Sequence, residues 1–424
     1  MSGRTAAILV VILGALVAAV VLTTPRAGGP NAERVVPLVG VPASQIGAVR
    51  VTDAAGDAVF VGQDPKWDGW LVETWDGDVV VGSWPASGTT VSAGMRVLAN
   101  ARLWSGQRHG LAERSEVVIL DQNREVVREF GMSSVALGGR VPVLTSDDEW
   151  GTIERELANF LSLDSLLAWR DPAVLPGLDA SAVTISIDRE GDLLALRRVG
   201  TSWAVELPVV EPVDGARVQE LIDGLVAARS ERFVEGKPEQ DIVTMVVEAR
   251  TSGDRRRYTA IIDTGSLVAD VMLFKTDGET TTEVARASMR VPEEFAGLLD
   301  LDVTDVVSRR SVATPASEVA GITLEWSDRE IARTSSGWAS SEDESTAESW
   351  LDLLTRRDAD EVALSAGDAE GVGTIGLAGF GDLAMGSLRV RAGGGMLWVA
   401  RDRVWRGYRV GEDDLVRLGV VAPE

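Results

Sequence analysis

The sequence predicts an α+β fold: three repeated units of antiparallel strands with helices packed on one face, behind one N-terminal transmembrane helix. Three observations predict it. An alternating strand pattern starts three times, at Val49/Val51, at Val183/Ile185/Ile187 and at Ile322/Leu324/Trp326. Each start leads through a polar or Gly-containing hairpin to a Trp: Trp70, Trp203 and Trp338. A helix-spaced apolar stripe then follows each Trp.

Residues 6–22 form an unbroken apolar run after Arg4. As a helix it spans roughly 26 Å, the short end of what crosses a bilayer. No small-x-small cleavage site lies just after it, at residues 21–25, and without Cys the chain has no lipid attachment through a thiol. Residues 1–25 therefore read as a retained signal anchor, a cleaved signal peptide being the alternative, with the bulk of the chain extracytoplasmic. Arg26 and Arg34 lie beyond the span, so flanking charge does not fix its orientation. Residues 26–43, rich in Pro, Gly and Val, read as a spacer.

The first unit covers residues 44–172. Its hairpin turns at residues 53–57, and Val91, Met95 and Leu98 mark a helix ending near Trp104. A second helix is expected from Trp150, Ile153, Leu157, Phe160 and Leu161, opened by a Ser146/Glu149 capping box. The second unit, residues 181–310, turns at residues 188–192. Asp214 caps a helix carrying Val218, Leu221, Ile222 and Leu225. Strands follow near residues 242–250, 255–262, 268–275 and 280–287, and Pro292 opens a closing helix with Phe295, Leu298 and Leu299. The third unit, residues 317–424, turns at residues 327–330. A Ser345/Glu348 capping box is expected to precede Trp350, Leu351 and Leu354, and a short helix holds Leu415, Val416 and Leu418.

Composition narrows the chemistry. The net charge is −24, which repels nucleic-acid phosphates. There is no Cys and one His, His109, so thiolate nucleophiles and Cys- or His-rich metal sites within one chain are excluded. No cofactor is expected. Acidic runs at residues 147–149 and 342–344 lack calcium-loop spacing and are expected at helix starts.

The stretch Trp203, Pro208, Asp214, Val218, Leu221, Ile222 and Leu225, with the anchor and the repeated layout, resembles a family of bacterial membrane-anchored proteins called domain of unknown function 4340. Its members are typically encoded beside gliding-motility-type ABC transporter parts. The resemblance implies a bacterial inner membrane and an auxiliary role beside such a transporter, and carries no catalytic residues. The first and third units depart from the pattern, with weaker helices and longer Gly-rich segments.

Residues 261–266, Ile-Ile-Asp-Thr-Gly-Ser, look like the aspartic-protease motif and make Asp263 a candidate catalytic residue. That chemistry needs two carboxylates sharing a proton, here supplied by a homodimer. Against it, residues 257–263 align with residues 125–131 and 374–381 of the other units, as a strand entering a Gly turn. Gly371, Gly373 and Gly376 spell G-x-G-x-x-G but read as strand rather than a dinucleotide loop. Arg255, Arg256 and Arg257 are candidate contacts for an acidic partner. Trp67, Trp75 and Trp84 are candidates for stacking on a polysaccharide or peptide. The function expected from the sequence is a non-enzymatic binding protein with a protein partner. A tethered protease and an envelope polysaccharide binder are the alternatives.

Overall fold

The computed structural model describes residues 34–106, 110–250, 254–335, 337–381 and 383–420. The anchor at residues 6–22 and His109 lie outside the described residues. Among the described residues no helix is long and apolar enough to cross a membrane. The chain divides into two compact units, Met1–Asp171 and Pro172–Glu424. The second contains two of the sequence repeats. The fold is mostly antiparallel sheet with a few helices.

In the first compact unit, β1 (Arg34–Pro37) precedes a three-strand meander, β2 (Ile46–Thr52), β3 (Asp57–Asp64) and β4 (Gly69–Asp76). Strand β5 (Val79–Pro85) and helix α1 (Gly88–Ala99) follow, then β6 (Arg102–Ser105). A second meander runs through β7 (Ser115–Asp121), β8 (Val126–Met132), β9 (Arg140–Thr145) and β10 (Trp150–Glu154). Two short helices, α2 (Arg155–Phe160) and α3 (Leu163–Leu167), close the unit. Strand β2 is central, paired with β3 on one side and β7 on the other. The last meander strand, β10, pairs with β6, the strand that follows the helix.

The second compact unit repeats that order twice. Its first copy has β11 (Ala182–Arg189), β12 (Asp192–Val199), β13 (Ser202–Leu207), β14 (Glu211–Pro212), α4 (Gly215–Ala227) and β15 (Arg232–Phe233). Then come β16 (Ile242–Arg250), β17 (Arg255–Asp263), β18 (Val268–Asp277), β19 (Thr280–Arg290), α5 (Glu293–Leu298) and α6 (Val303–Val306). Its second copy has β20 (Val319–Leu324), β21 (Arg329–Thr334), β22 (Gly337–Trp338), α7 (Ser341–Leu351) and β23 (Glu361–Ala363). It ends with β24 (Glu370–Gly379), β25 (Leu383–Gly393), β26 (Met396–Ala400), β27 (Trp405–Arg409) and α8 (Glu412–Arg417). Strands β11 and β20 are central, beside β16 and β24 respectively. The post-helix strands β15 and β23 return to β19 and β27. One topology is therefore written three times, the third copy without a counterpart of β5 and β14.

The helices follow one packing code. Val91, Gly94, Met95 and Leu98 are buried on α1, and Val218, Leu221, Ile222 and Leu225 on α4. Ala347, Trp350, Leu351 and Leu354 are buried at the same spacing on α7 and the π-helical turn that extends it. Each set falls at i, i+3, i+4 and i+7, one stripe facing its sheet. Gly94 and Trp350 occupy the same place in this code. A Cβ on Gly94 would meet the Trp169 ring at 2.2 Å, so Trp169 fills from outside the volume that Trp350 fills from within. Trp350 also donates through Nε1 to the Leu418 carbonyl at 2.9 Å, tying α7 to the C-terminal turn.

Several boundaries differ from those the sequence predicts. Residues 150–154 form β10 rather than the start of a helix, because Trp150 and Ile153 pair across β9. Ser146 and Glu149 therefore belong to a hairpin turn, in which Glu149 N–H donates to Thr145 Oγ1 at 3.2 Å. The acidic run 147–149 sits on that turn, away from any helix start. Helix α7 begins four residues before the predicted box, capped by Ser340, which accepts from Asp343 N–H at 3.0 Å. Asp343 with Glu342 and Glu344 fills the first turn, where the helix dipole favours carboxylates. Helix α1 stops at Ala99, and Trp104 lies in β6. Residues 374–379 lie in β24, the strand beside β20, so they match β7 and β16 rather than β8 and β17. Alternation alone does not count strands across a Gly-rich hairpin. The repeated Trp residues are half-buried on or beside the third meander strand, Trp70 and Trp338 against the edges of their cores, while Trp84, Trp169, Trp350, Trp398 and Trp405 are buried.

Candidate functional site

Asp263 closes β17 and is buried at the head of a turn. Its Oδ1 accepts from Gly265 N–H at 3.0 Å and Ser266 N–H at 2.9 Å. Its Oδ2 accepts from Gln240 N–H at 3.2 Å and Glu239 N–H at 3.4 Å. These donors, the Ser266 backbone foremost, hold the carboxyl down to about pKa 2. Both oxygens are thus committed to holding two backbone segments together. A shared-proton dyad needs the carboxylate oxygens free to face a second carboxylate and the attacking water, and here both already accept backbone N–H groups.

The three Trp candidates do not converge. Trp84 is fully buried and donates through Nε1 to the Asp171 carbonyl at 2.9 Å, a correction to its expected role as a surface platform. A ring with no solvent exposure fills interior volume and offers no stacking face. Trp67 sits in the β3–β4 turn, and Trp75 lies near the other end of β4. Arg50 lies over the Trp75 ring at 5.4 Å from its centroid, and neighbouring Glu73 has its pKa raised, chiefly by burial.

Nor do the three arginines form one patch. Strand alternation puts Arg256 on the face of buried Tyr258, and Arg255 and Arg257 on the opposite, exposed face. The predicted basic contact surface is split by the pleat. Gly371, Gly373 and Gly376 lie inside β24, all three paired with β25 and Gly376 also with β20, as antiparallel strand. Among the described residues no three His, Asp or Glu side chains gather as a metal-binding group.

The second compact unit contains a feature that sequence reasoning missed. Arg406 on β27 and Glu211 on β14 form a fully buried ion pair at 3.0 Å. Arg406 Nε also donates to the Ser308 carbonyl at 2.8 Å, and Glu211 Oε1 has no hydrogen-bond partner. Residues 306–312 stitch the two repeats around this pair. Asp214 N–H donates to Val306 O and Ser308 N–H to Pro212 O, on the second-repeat side. Ala359 N–H donates to Arg309 O and Val312 N–H to Leu354 O, on the third-repeat side. Nearby, Tyr408 and Ser311 hydroxyls are 2.7 Å apart, and burial raises the Tyr408 pKa.

Beside this stitched junction lie two adjoining clefts. One, of about 390 Å³, is lined by Pro208, Val209, Leu364, Arg389, Arg403 and Trp405. The other, of about 410 Å³, shares Pro208 and Leu364 and adds Leu193, Leu207 and Leu301 among others. Leu207 and Leu364 are 47% and 49% exposed, high for apolar side chains at a junction. Arg389 and Arg391 both lie over the Trp405 ring, with guanidinium carbons 5.1 and 5.2 Å from its centroid. Arg389 further donates to the Asp402 carbonyl. The arrangement offers an apolar trough with a cationic end.

No protein-family model matches the chain, and no curated protein matches it significantly.

Proposed function

We propose that this chain is a membrane-anchored extracytoplasmic accessory protein that binds another protein of an envelope complex, an ABC-type transporter assembly being the candidate. The observation that carries this reading is the thrice-repeated strand order. Repetition of a scaffold multiplies solvent-facing sheet and cleft surface, whereas catalysis needs one converging set of groups. The commitment of Asp263 to backbone donors favours it over a tethered protease. The scatter of Trp67, Trp75 and Trp84 favours it over a polysaccharide platform. The apolar run at residues 6–22 supports the anchor, and the resemblance to the domain of unknown function 4340 family supports the transporter setting.

The test is affinity purification of the tagged full-length chain from native membranes in mild detergent. Copurification of transporter subunits at a fixed ratio is expected. Recovery of the chain alone, or only with itself, would overturn the proposal.

A further inference from the structure

We propose that the paired clefts between the second and third repeats form a docking groove for an extended segment of a partner protein, one that carries an apolar side chain beside carboxylates. Leu193, Leu207, Leu301 and Leu364 supply the apolar length of the groove, with Arg189, Asp192 and Asp302 on the wall away from the arginine end, so the carboxylates of the occupant belong at the Arg389 end. Each cleft has the volume of a small-ligand pocket, enough for a large side chain and its neighbours. Arg389 and Arg403 line the basic end, with Arg391 beside them on the Trp405 ring.

Charge complementarity selects the occupant. The chain carries a net charge of −24, yet among the described residues no carboxylate pairs with Arg389, Arg391 or Arg403. Arg189 and Arg329, by comparison, each have a carboxylate partner, Asp300 at 2.9 Å and Asp343 at 2.8 Å. Unmatched guanidinium groups gathered at one end of an apolar trough leave planar, two-pronged donors suited to carboxylates. Trp405 is only 6% exposed, so it acts from below. It holds Arg389 and Arg391 in place before any partner arrives, which lowers the entropy lost on docking. An anionic bilayer offers similar charge, but the acidic body is repelled from such a surface. A peptide reaches the groove without bringing the rest of the protein to the lipid.

This inference rests on the partner-binding function proposed above. Its test is selection of a displayed library of seven-residue peptides on the full-length chain in detergent micelles. Enriched sequences are expected to place Asp or Glu within two residues of Leu, Ile or Phe. An enriched synthetic peptide should bind Arg403→Glu and Leu364→Asp about tenfold or more weakly. Both positions are exposed, so the fold should survive, as circular dichroism would show. A Val199→Asp control, at a distant exposed site, should bind as the parent does. Equal binding by the Arg403→Glu and Leu364→Asp variants, or no acidic–apolar enrichment, would overturn the groove. So would cleft-dependent binding to phosphatidylglycerol vesicles in place of peptide. If a membrane partner copurifies equally with the Arg403→Glu variant, the groove fails and the accessory function stands. If peptide binds the groove but no membrane partner is recovered, the accessory function fails and the groove stands.

Discussion

Four backbone N–H groups hold the Asp263 carboxylate ionised down to about pH 2. In the unfolded chain the same group titrates near 3.9. A depressed folded pKa stabilises the fold above the unfolded value, and that stabilisation is lost as pH falls through about 2. Asp263→Asn should therefore unfold at a lower temperature at pH 7, with the gap to the parent closing between about pH 4 and 2. Thermal unfolding followed across that range checks it, and equal midpoints at pH 7 would contradict the turn-holding role. Glu211 and Arg406 give a sharper case. Removing one partner by Arg406→Ala leaves a buried unpaired charge and should cost about 3–5 kcal/mol in denaturant unfolding. The double variant Glu211→Leu/Arg406→Met should recover most of that loss, since a packed apolar pair avoids the desolvation. Asp263 was legible as a turn residue from the Gly and Ser that follow it. The ion pair was not, because its partners stand 195 positions apart and each looks like any surface charge.

At the scale of elements, strands read well and helix starts less well. The four strands β16 to β19 were visible because alternation and turn residues agree over nine to eleven residues each. The buried stripe of α4 and its Asp214 cap, which accepts from Ala216 N–H at 2.9 Å, were also visible. Asp214→Ala should cost about 1 kcal/mol, measured by urea unfolding of the full chain. The box chosen for α7 was wrong because Ser-x-x-Glu occurs within the helix itself, downstream of the true Ser340 cap. Helix α1 read weakly because Gly94 interrupts its stripe. The reason for that glycine, contact with the Trp169 ring, lies about seventy-five residues away in sequence. Gly94→Ala gains helix propensity but forces the ring aside. A net loss of about 1–2 kcal/mol is expected, and the compensating pair Gly94→Ala/Trp169→Leu should restore part of it.

For the whole molecule, length and repetition suggested three units behind an anchor, and the described residues carry the same strand order three times, short of one strand in the third copy. The joining of the second and third copies into one compact unit was not legible, since it rests on backbone hydrogen bonds of the connecting residues 306–312. The cleft was equally hidden, because Leu207, Leu364, Arg389 and Arg403 come together only through that joining. Partner binding at this scale should depend on salt, weakening as ionic strength rises from 0.05 to 0.5 M at the cationic end, with copurification yield as the readout. The most direct measurement is site-specific photo-crosslinking in native membranes, with a photoreactive residue at Leu364 and, as control, at Val199. One crosslinked product with a second envelope protein from Leu364, and none from Val199, is expected. Crosslinks only to another copy of the chain, or the same products from both positions, would contradict the account.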